Sequence, residues 1–429
     1  MTSGDTLTLS VGTYSGSGAR FNINSTSANY STTNPLIIEG NNQVLDCASA
    51  ATHCLYLKAA VGIKIQNLTA KSSTDSAIRM DGSDATIGLH DITFVNVAGK
   101  ASGRCVFQID TGAYNITIRD SVGADNYDSA TDGGNADGLC TGGSANTTTV
   151  SGLVIENSEF YNNADDGIDL FQMNNQAIIR GNDIHDNGYA SGDGRGIAAG
   201  PGTGAHLIHS NVIARNDQFG IHRRDNSGRI ELYNNTIASN GSVIAGGRNI
   251  SFPSTVDLNF PTTAVRFTDS GVNTEYRALS APVSSLSVGA TSYTLGTVGA
   301  LGANQFGNSG GYVYVKGNPG SSTVTATPTT QSTAANNAVA VAGLSADTVT
   351  GLTNGGGTNS YDIGSPSPRF LGGDTPTTAE GLRPTYDSPL VGAGTPVGVK
   401  YDFSGYRFNV PPSIGAFEVP GPSTFKPFQ

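Results

Sequence analysis

Apolar residues recur along this chain in a short alternating pattern. An apolar position is followed by an Asn- or Gly-rich polar step and then by another apolar position, with no helical i, i+4 spacing. The copies read IQNLTA from Ile65, LHDITF from Leu89, IRDSVG from Ile118, IENSEF from Ile155, IRGNDI from Ile179, IHSNVI from Ile208 and LYNNTI from Leu232. Successive leading residues are 24, 29, 37, 24, 29 and 24 apart, so the basic step is 24 and the longer ones carry insertions. Period-two alternation in a repeat of this size predicts a β-solenoid in which each copy is one coil. The Leu-x-x-Leu-x-Leu frame of leucine-rich repeats is missing. Coils stack about 4.8 Å apart, so equivalent positions become neighbours in space.

The register extends along each coil. Aligning Ile155, Ile179 and Ile208 sets Gly167, Gly196 and Gly220 in one column, Ile168, Ile197 and Ile221 in the next, and Asp169, Ala198 and His222 after those. The preceding coil adds Gly138, Leu139 and Cys140. Strand alternation points the isoleucine column into the core and the following column outward. Asp137, Asp166 and Arg195 then stack just before the glycines. Cys105 belongs to the coil before Cys140, so a bridge between those coils is allowed if the two are in register, and Cys47 and Cys54 can close a small loop; free thiols are the alternative for each.

The pattern fades beyond residue 245. Residues 250 to 345 are rich in Ser, Thr, Val and Ala, with strand-like pieces SSLSVGATSYTL and GGYVYVKG. The expected architecture is all-β: a right-handed parallel β-helix over residues 1–249, an inserted β-rich segment packed on the solenoid over 250–370, and a closing segment over 371–429. The closing stretch from Ser388 to Glu418 resembles the end of many secreted β-helix proteins and is expected to cover the C-terminal end of the open solenoid.

Composition narrows the possibilities. The chain has 429 residues, of which only 13% are charged and 57 are glycine, and it has no tryptophan. That profile suits a secreted all-β protein, and a monomer is expected. No apolar run approaches the roughly 20 residues needed to cross a bilayer. Met1-Thr2-Ser3-Gly4 leads straight into the alternating segment Thr6 to Val11, so any secretion signal is expected to have been removed. A formal charge of −11 with no basic stripe argues against nucleic acid. It also disfavours a polyanionic substrate unless a bound divalent cation reverses the local field.

The candidate chemistry lies in GNADGLC, with Asp137, and NNADDGIDLF, with Asp165, Asp166 and Asp169. The register puts Asp137 beside Asp166. Carboxylates this close cannot all stay ionised unless a cation or protons compensate them. A cluster with only oxygen donors fits Ca²⁺ rather than zinc, which prefers His or Cys, or magnesium, which keeps its water. An extended strand would hold Asp165 and Asp169 roughly 13 Å apart; a bend at Gly167 is expected to bring them together. The competing reading is that Asp and Asn merely populate the turns of a solenoid.

These segments, followed by the Gly-rich coil GRGIAAGPG and by LYNNT, resemble polysaccharide lyase family 9, the calcium-dependent pectate lyases and relatives. The resemblance covers roughly residues 115 to 240. It implies calcium as cofactor on Asp137, Asp165, Asp166 and Asp169, an acidic polysaccharide as partner, and cleavage by β-elimination. It also implies a catalytic lysine in the Gly-rich coil, where this chain has Ala198. The register independently puts Ala198 over Asp169. Either the chain is a Lys→Ala inactive form or another base serves. Nearby groups are Arg195, His222, Arg223 and Arg224. The arginines suit carboxylate binding better than proton abstraction, and His222 has an ordinary pKa of about 6.5 but is more simply a surface residue stacked on the next coil. The rivals are an inverting polygalacturonase-type hydrolase, whose Gly-His-Gly and Arg-Ile-Lys segments are absent, and a non-catalytic carbohydrate-binding β-helix.

Overall fold

A computed structural model describes residues 1–241 except 25–29, 85–87, 143–149, 201, 203 and 225–229. It also describes strand segments and the stretch 290–309 within 242–368, and residues 369–419 except 373–375 and 395. The repeating region is a right-handed parallel β-helix. One face is a parallel sheet of nine strands running from Phe21–Asn24 through Leu139–Thr141, Ile168–Leu170, Arg195–Ala199 and Phe219–Arg223 to Arg248–Ser251. The other faces merge into one large sheet, because the long strands Leu36–Asp46, Ala60–Lys71 and Leu89–Lys100 run through their bends. Asn41, Asn67 and Asn96 occupy those bends at φ of 52°, 56° and 53°, a left-handed conformation that a short polar side chain tolerates.

The predicted register holds. Leu139 pairs with Ile168, Ile168 with Ile197, and Ile197 with Ile221, and all four are fully buried in the core. The turns are held by stacked asparagines. Asn126, Asn163, Asn187, Asn216 and Asn240 form one ladder, each amide donating to the next residue's Oδ1 at 2.8–3.0 Å. Asn182, Asn211, Asn235 and Asn337 form another, with bonds of 2.9–3.0 Å. Every member is buried and also bonds to backbone, which offsets the desolvation of its amide. The ladders also account for the glycine column. A Cβ at Gly167 would stand 2.7 Å from the Gly196 carbonyl oxygen, 2.6 Å from Ile184 and 2.9 Å from the Asn187 amide, so the role of this glycine is close approach between coils.

Strands between Val256 and Pro328 form a separate, mainly antiparallel eight-stranded sheet. The solenoid resumes earlier than residue 371: Ser332–Ala335 pairs with the strand Ile230–Tyr233, and Ala338–Ala340 with Thr236–Ala238. The closing segment lies along a flank of the last coils. Phe370, Leu382, Leu390, Ile414 and Phe417 pack with Val212, Ala214, Ala238 and Ala338. Tyr401 and Ser413 offer their carbonyl oxygens to Ser210 and Asn234, and Ala416 donates its N–H to Thr236 Oγ1. Small outward side chains on these coils make room for that contact.

Candidate functional site

The outward column of the nine-stranded face runs Tyr56, Arg79, Gln108, Cys140, Asp169, Ala198, His222. Beside it, two positions before the inward residue of each coil, stand Cys105, Asp137, Asp166 and Arg195. Stacking brings carboxylate oxygens of Asp137, Asp166 and Asp169 within 4.8 Å of one another. Asp137 Oδ1 accepts the Asp166 N–H at 3.0 Å, and Asp166 Oδ1 accepts the Arg195 N–H at 2.8 Å. Asp165 lies near enough for its charge to act on all three, but its oxygens have backbone partners. Its two oxygens accept the N–H groups of Asn135 and Asp193 at 2.7 and 2.6 Å, so it ties two neighbouring turns together at the rim.

Electrostatics in the cluster are strained. Burial, reinforced by Asp165, Asp169 and Asp166, pushes the Asp137 carboxyl well above the ordinary carboxylate range. Burial does the same to Asp166, against the opposing charges of Arg195 and Arg224. Asp169 is pushed up to about 6, again chiefly by burial, with Arg224 and Arg195 pulling the other way. Asp169 Oδ1 is buried and has no hydrogen-bond partner. A buried carboxylate oxygen without a partner, facing two more carboxylates, is an arrangement that a cation would satisfy. Cys105 and Cys140 adjoin the cluster, but they are joined in a disulfide with Cα atoms 5.8 Å apart, as are Cys47 and Cys54. They therefore offer no thiolate.

The arginines divide. Arg224 reaches into the cluster, with Nη1 3.4 Å from Asp169 and Nη2 3.5 Å from Asp166, and its guanidinium lies 5.9 Å from the centre of the Phe171 ring. Arg195 is buried and paired with Asp166 at 3.3 Å and with Asp193, so its charge serves the wall. Arg223 does not reach the cleft: two positions after Ile221 it falls in the inward column, pairs with Ala199 and is 2% exposed. It is therefore not presented as a carboxylate fork. Ala198 is fully buried between Asp169 and His222, and the half-buried His222 ring stacks on Phe219 at 4.7 Å.

The cluster opens onto a cleft of about 860 Å³ whose lining includes Asp137, Asp165, Asp169, Asp193, Phe171 and Arg224 at one end and Arg79, Arg104, Gln108 and Asp110 at the other. No lysine lines it among the described residues. The second end is absent from the sequence reading, although Arg79 and Gln108 sit in the same outward column as Asp169. Insertions between Gln108 and Cys140 interrupt the 24-residue step that would have carried the alignment back.

A family model described as a Pel9A-like, right-handed β-helix region matches residues 1–250. Among solved structures, the fold is similar to that of pectate lyase Pel9A, at 19% identity over 97% of this chain and 88% of that one, with a TM-score of 0.62. It also matches a rhamnogalacturonan lyase at 18% identity, over 60% of this chain and 69% of that one, with a TM-score of 0.45. At these identities the likeness is one of fold. No curated protein matches the sequence.

Proposed function

We propose that this chain, which belongs to the Pel9A-like right-handed β-helix family, is a calcium-dependent lyase of a uronic-acid-containing polysaccharide, cleaving by β-elimination. The observation that carries the reading is the convergence of Asp137, Asp166 and Asp169 beside an open cleft, with a buried oxygen of Asp169 left without a partner. Asp137, Asp166 and Asp169 would hold the ion, with Asp165 bracing the turns at its rim. A calcium ion there would supply the positive charge that binds a uronate carboxylate and steadies the anion formed as the C5 proton leaves. Arg224, beside Phe171 at the cleft wall, would take a carboxylate oxygen of the same sugar. The face of Phe171 gives the sugar ring an apolar surface in a chain without tryptophan.

Position 198, which the resembling family fills with lysine, carries a methyl group walled in by Asp169 and His222. That observation favours a second reading, in which this chain binds an acidic polysaccharide without cleaving it. The two are separated by incubating the protein with a panel of uronic acid polymers, with calcium or with chelator. Absorbance from an unsaturated product that disappears on chelation supports the lyase. Calcium-dependent binding with no product supports the binding role. New reducing ends without that absorbance, unaffected by chelator, would overturn both in favour of a hydrolase.

A further inference from the structure

The far end of the cleft holds a second constellation. From Asp169 the outward column runs back through Cys140 and Gln108 to Arg79. These three coil steps span about 14 Å at strand spacing. Arg79 Nε donates to Asp110 Oδ2 at 2.7 Å, Gln108 Nε2 donates to Asp110 Oδ1 at 2.9 Å, and the Ser76 hydroxyl donates to Gln108 Oε1 at 2.5 Å. Asp110 is 5% exposed, whereas the Arg79 side chain is 31% exposed and lines the cleft. The buried carboxylate accepts one bond on each oxygen and holds the guanidinium through its Nε. Nη1 stands 3.5 Å from His53 Nε2, which steadies the plane further. A guanidinium held this way presents its remaining N–H groups to a planar oxyanion without first having to be ordered.

The charges at this end are balanced pair by pair, and the arginines keep the exposure. Arg104 lines the same end, with its side chain 43% exposed and 4.0 Å from Asp75. Asp81, also in the lining, accepts the Tyr56 hydroxyl at 2.8 Å and pairs with Lys58 at 3.7 Å, so its charge is answered locally. The cleft thus has an acidic end suited to a cation and, a few sugars away, an end where two paired arginines keep exposed N–H groups.

We propose that Arg79, with Arg104 at the same end, is a second, metal-free subsite that binds a carboxylate of the polysaccharide several residues along from the sugar at the aspartates. This rests on the acidic-polysaccharide reading and adds a specificity to it: the protein selects runs of charged sugars over an isolated uronate. Galacturonate oligomers from disaccharide to hexasaccharide, and their carboxyl-reduced forms, are titrated calorimetrically in the presence of calcium against the intact chain. The same titrations are run on Arg79→Gln, and on Arg79→Gln combined with Asp110→Asn, which leaves no unpaired buried charge. The expected result is an affinity gain of about tenfold once the oligomer is long enough to span both ends, absent from both variants and from the reduced oligomers. Short oligomers should bind all forms equally. A length-dependent gain that survives in the variants, or that reduced oligomers also show, would overturn the subsite. So would calcium-dependent binding of short oligomers with no gain on lengthening. If no acidic oligomer of any length binds, the functional reading falls along with the subsite.

Discussion

Replacing Asp169 by Asn should strengthen the fold without calcium and abolish its response to calcium. Asp169 is 13% exposed at its side chain and held at about 6, because burial and the neighbouring aspartates outweigh Arg224 and Arg195. The folded protein thus binds this proton more tightly than the unfolded chain does. The associated stability is fully present below the unfolded value of about 3.9 and is lost as pH rises through about 6. At 1.36 kcal/mol per pH unit, the ionised carboxylate costs the fold about 3 kcal/mol at pH 7. Asn keeps the shape and removes the charge, so in chelator at pH 7 the variant should be more stable by up to about 3 kcal/mol. Near pH 4 the two forms should converge. Calcium at a hundredfold excess over its dissociation constant would add about 2.7 kcal/mol to the intact protein and much less to the variant, nearly cancelling that lead or reversing it. Thermal unfolding of both forms at pH 4 and 7, with calcium and with chelator, reads all of these at once. A variant that is weaker in chelator would show the Asp169–Arg224 pair to be a structural bridge and the cluster complete without an ion. Equal calcium responses would remove Asp169 from the ligand set.

Other outcomes follow from the same geometry. Ala198→Lys should confer, or raise by about 10² to 10⁴, formation of unsaturated product with calcium present, while the unaltered chain shows little; full activity in the unaltered chain would point to another base. Asn187→Ala should lower stability by on the order of 4 kcal/mol in denaturant titration, because Asn187 joins Asn163, Asn216 and the Phe160 carbonyl in a fully buried ladder. A loss under about 1 kcal/mol would mean that neighbouring rungs re-pair. On the flank, burial alone would lower the pKa of His185, but hydrogen bonds to Asp186 and Glu159 and the charge of Asp183 hold it at about 9. Its contribution is complete below about 6.5 and is lost as pH rises through about 9, so His185→Gln should cost up to about 3 kcal/mol at pH 6 and little at pH 10.

What the sequence disclosed depended on how regularly each coil repeats. Ile168, Ile197 and Ile221 follow strand parity, so their burial, the outward place of Ala198 and the meeting of Asp137 with Asp166 could all be read by alignment. The same parity, carried two residues past Ile221, places Arg223 inside. The alternation that places its neighbours therefore separates Arg223 from Arg224. Asp165 shows a different limit. Whether a turn carboxylate faces a cation or the amides of Asn135 and Asp193 depends on the path of the turn, which residue spacing does not specify. Past residue 330 the apolar signal weakens to Ala and Val in STAA and NAVA, yet Asn337 still occupies the asparagine column and pairs with Asn235. The buried amide is a sharper marker of a coil than the aliphatic residue beside it. An apolar position tolerates Ile, Leu, Val or Ala, but a ladder rung needs a side chain that both donates and accepts at a fixed depth. Asn337, paired with Asn235, is thus the residue that marks the resumed coil across the inserted sheet.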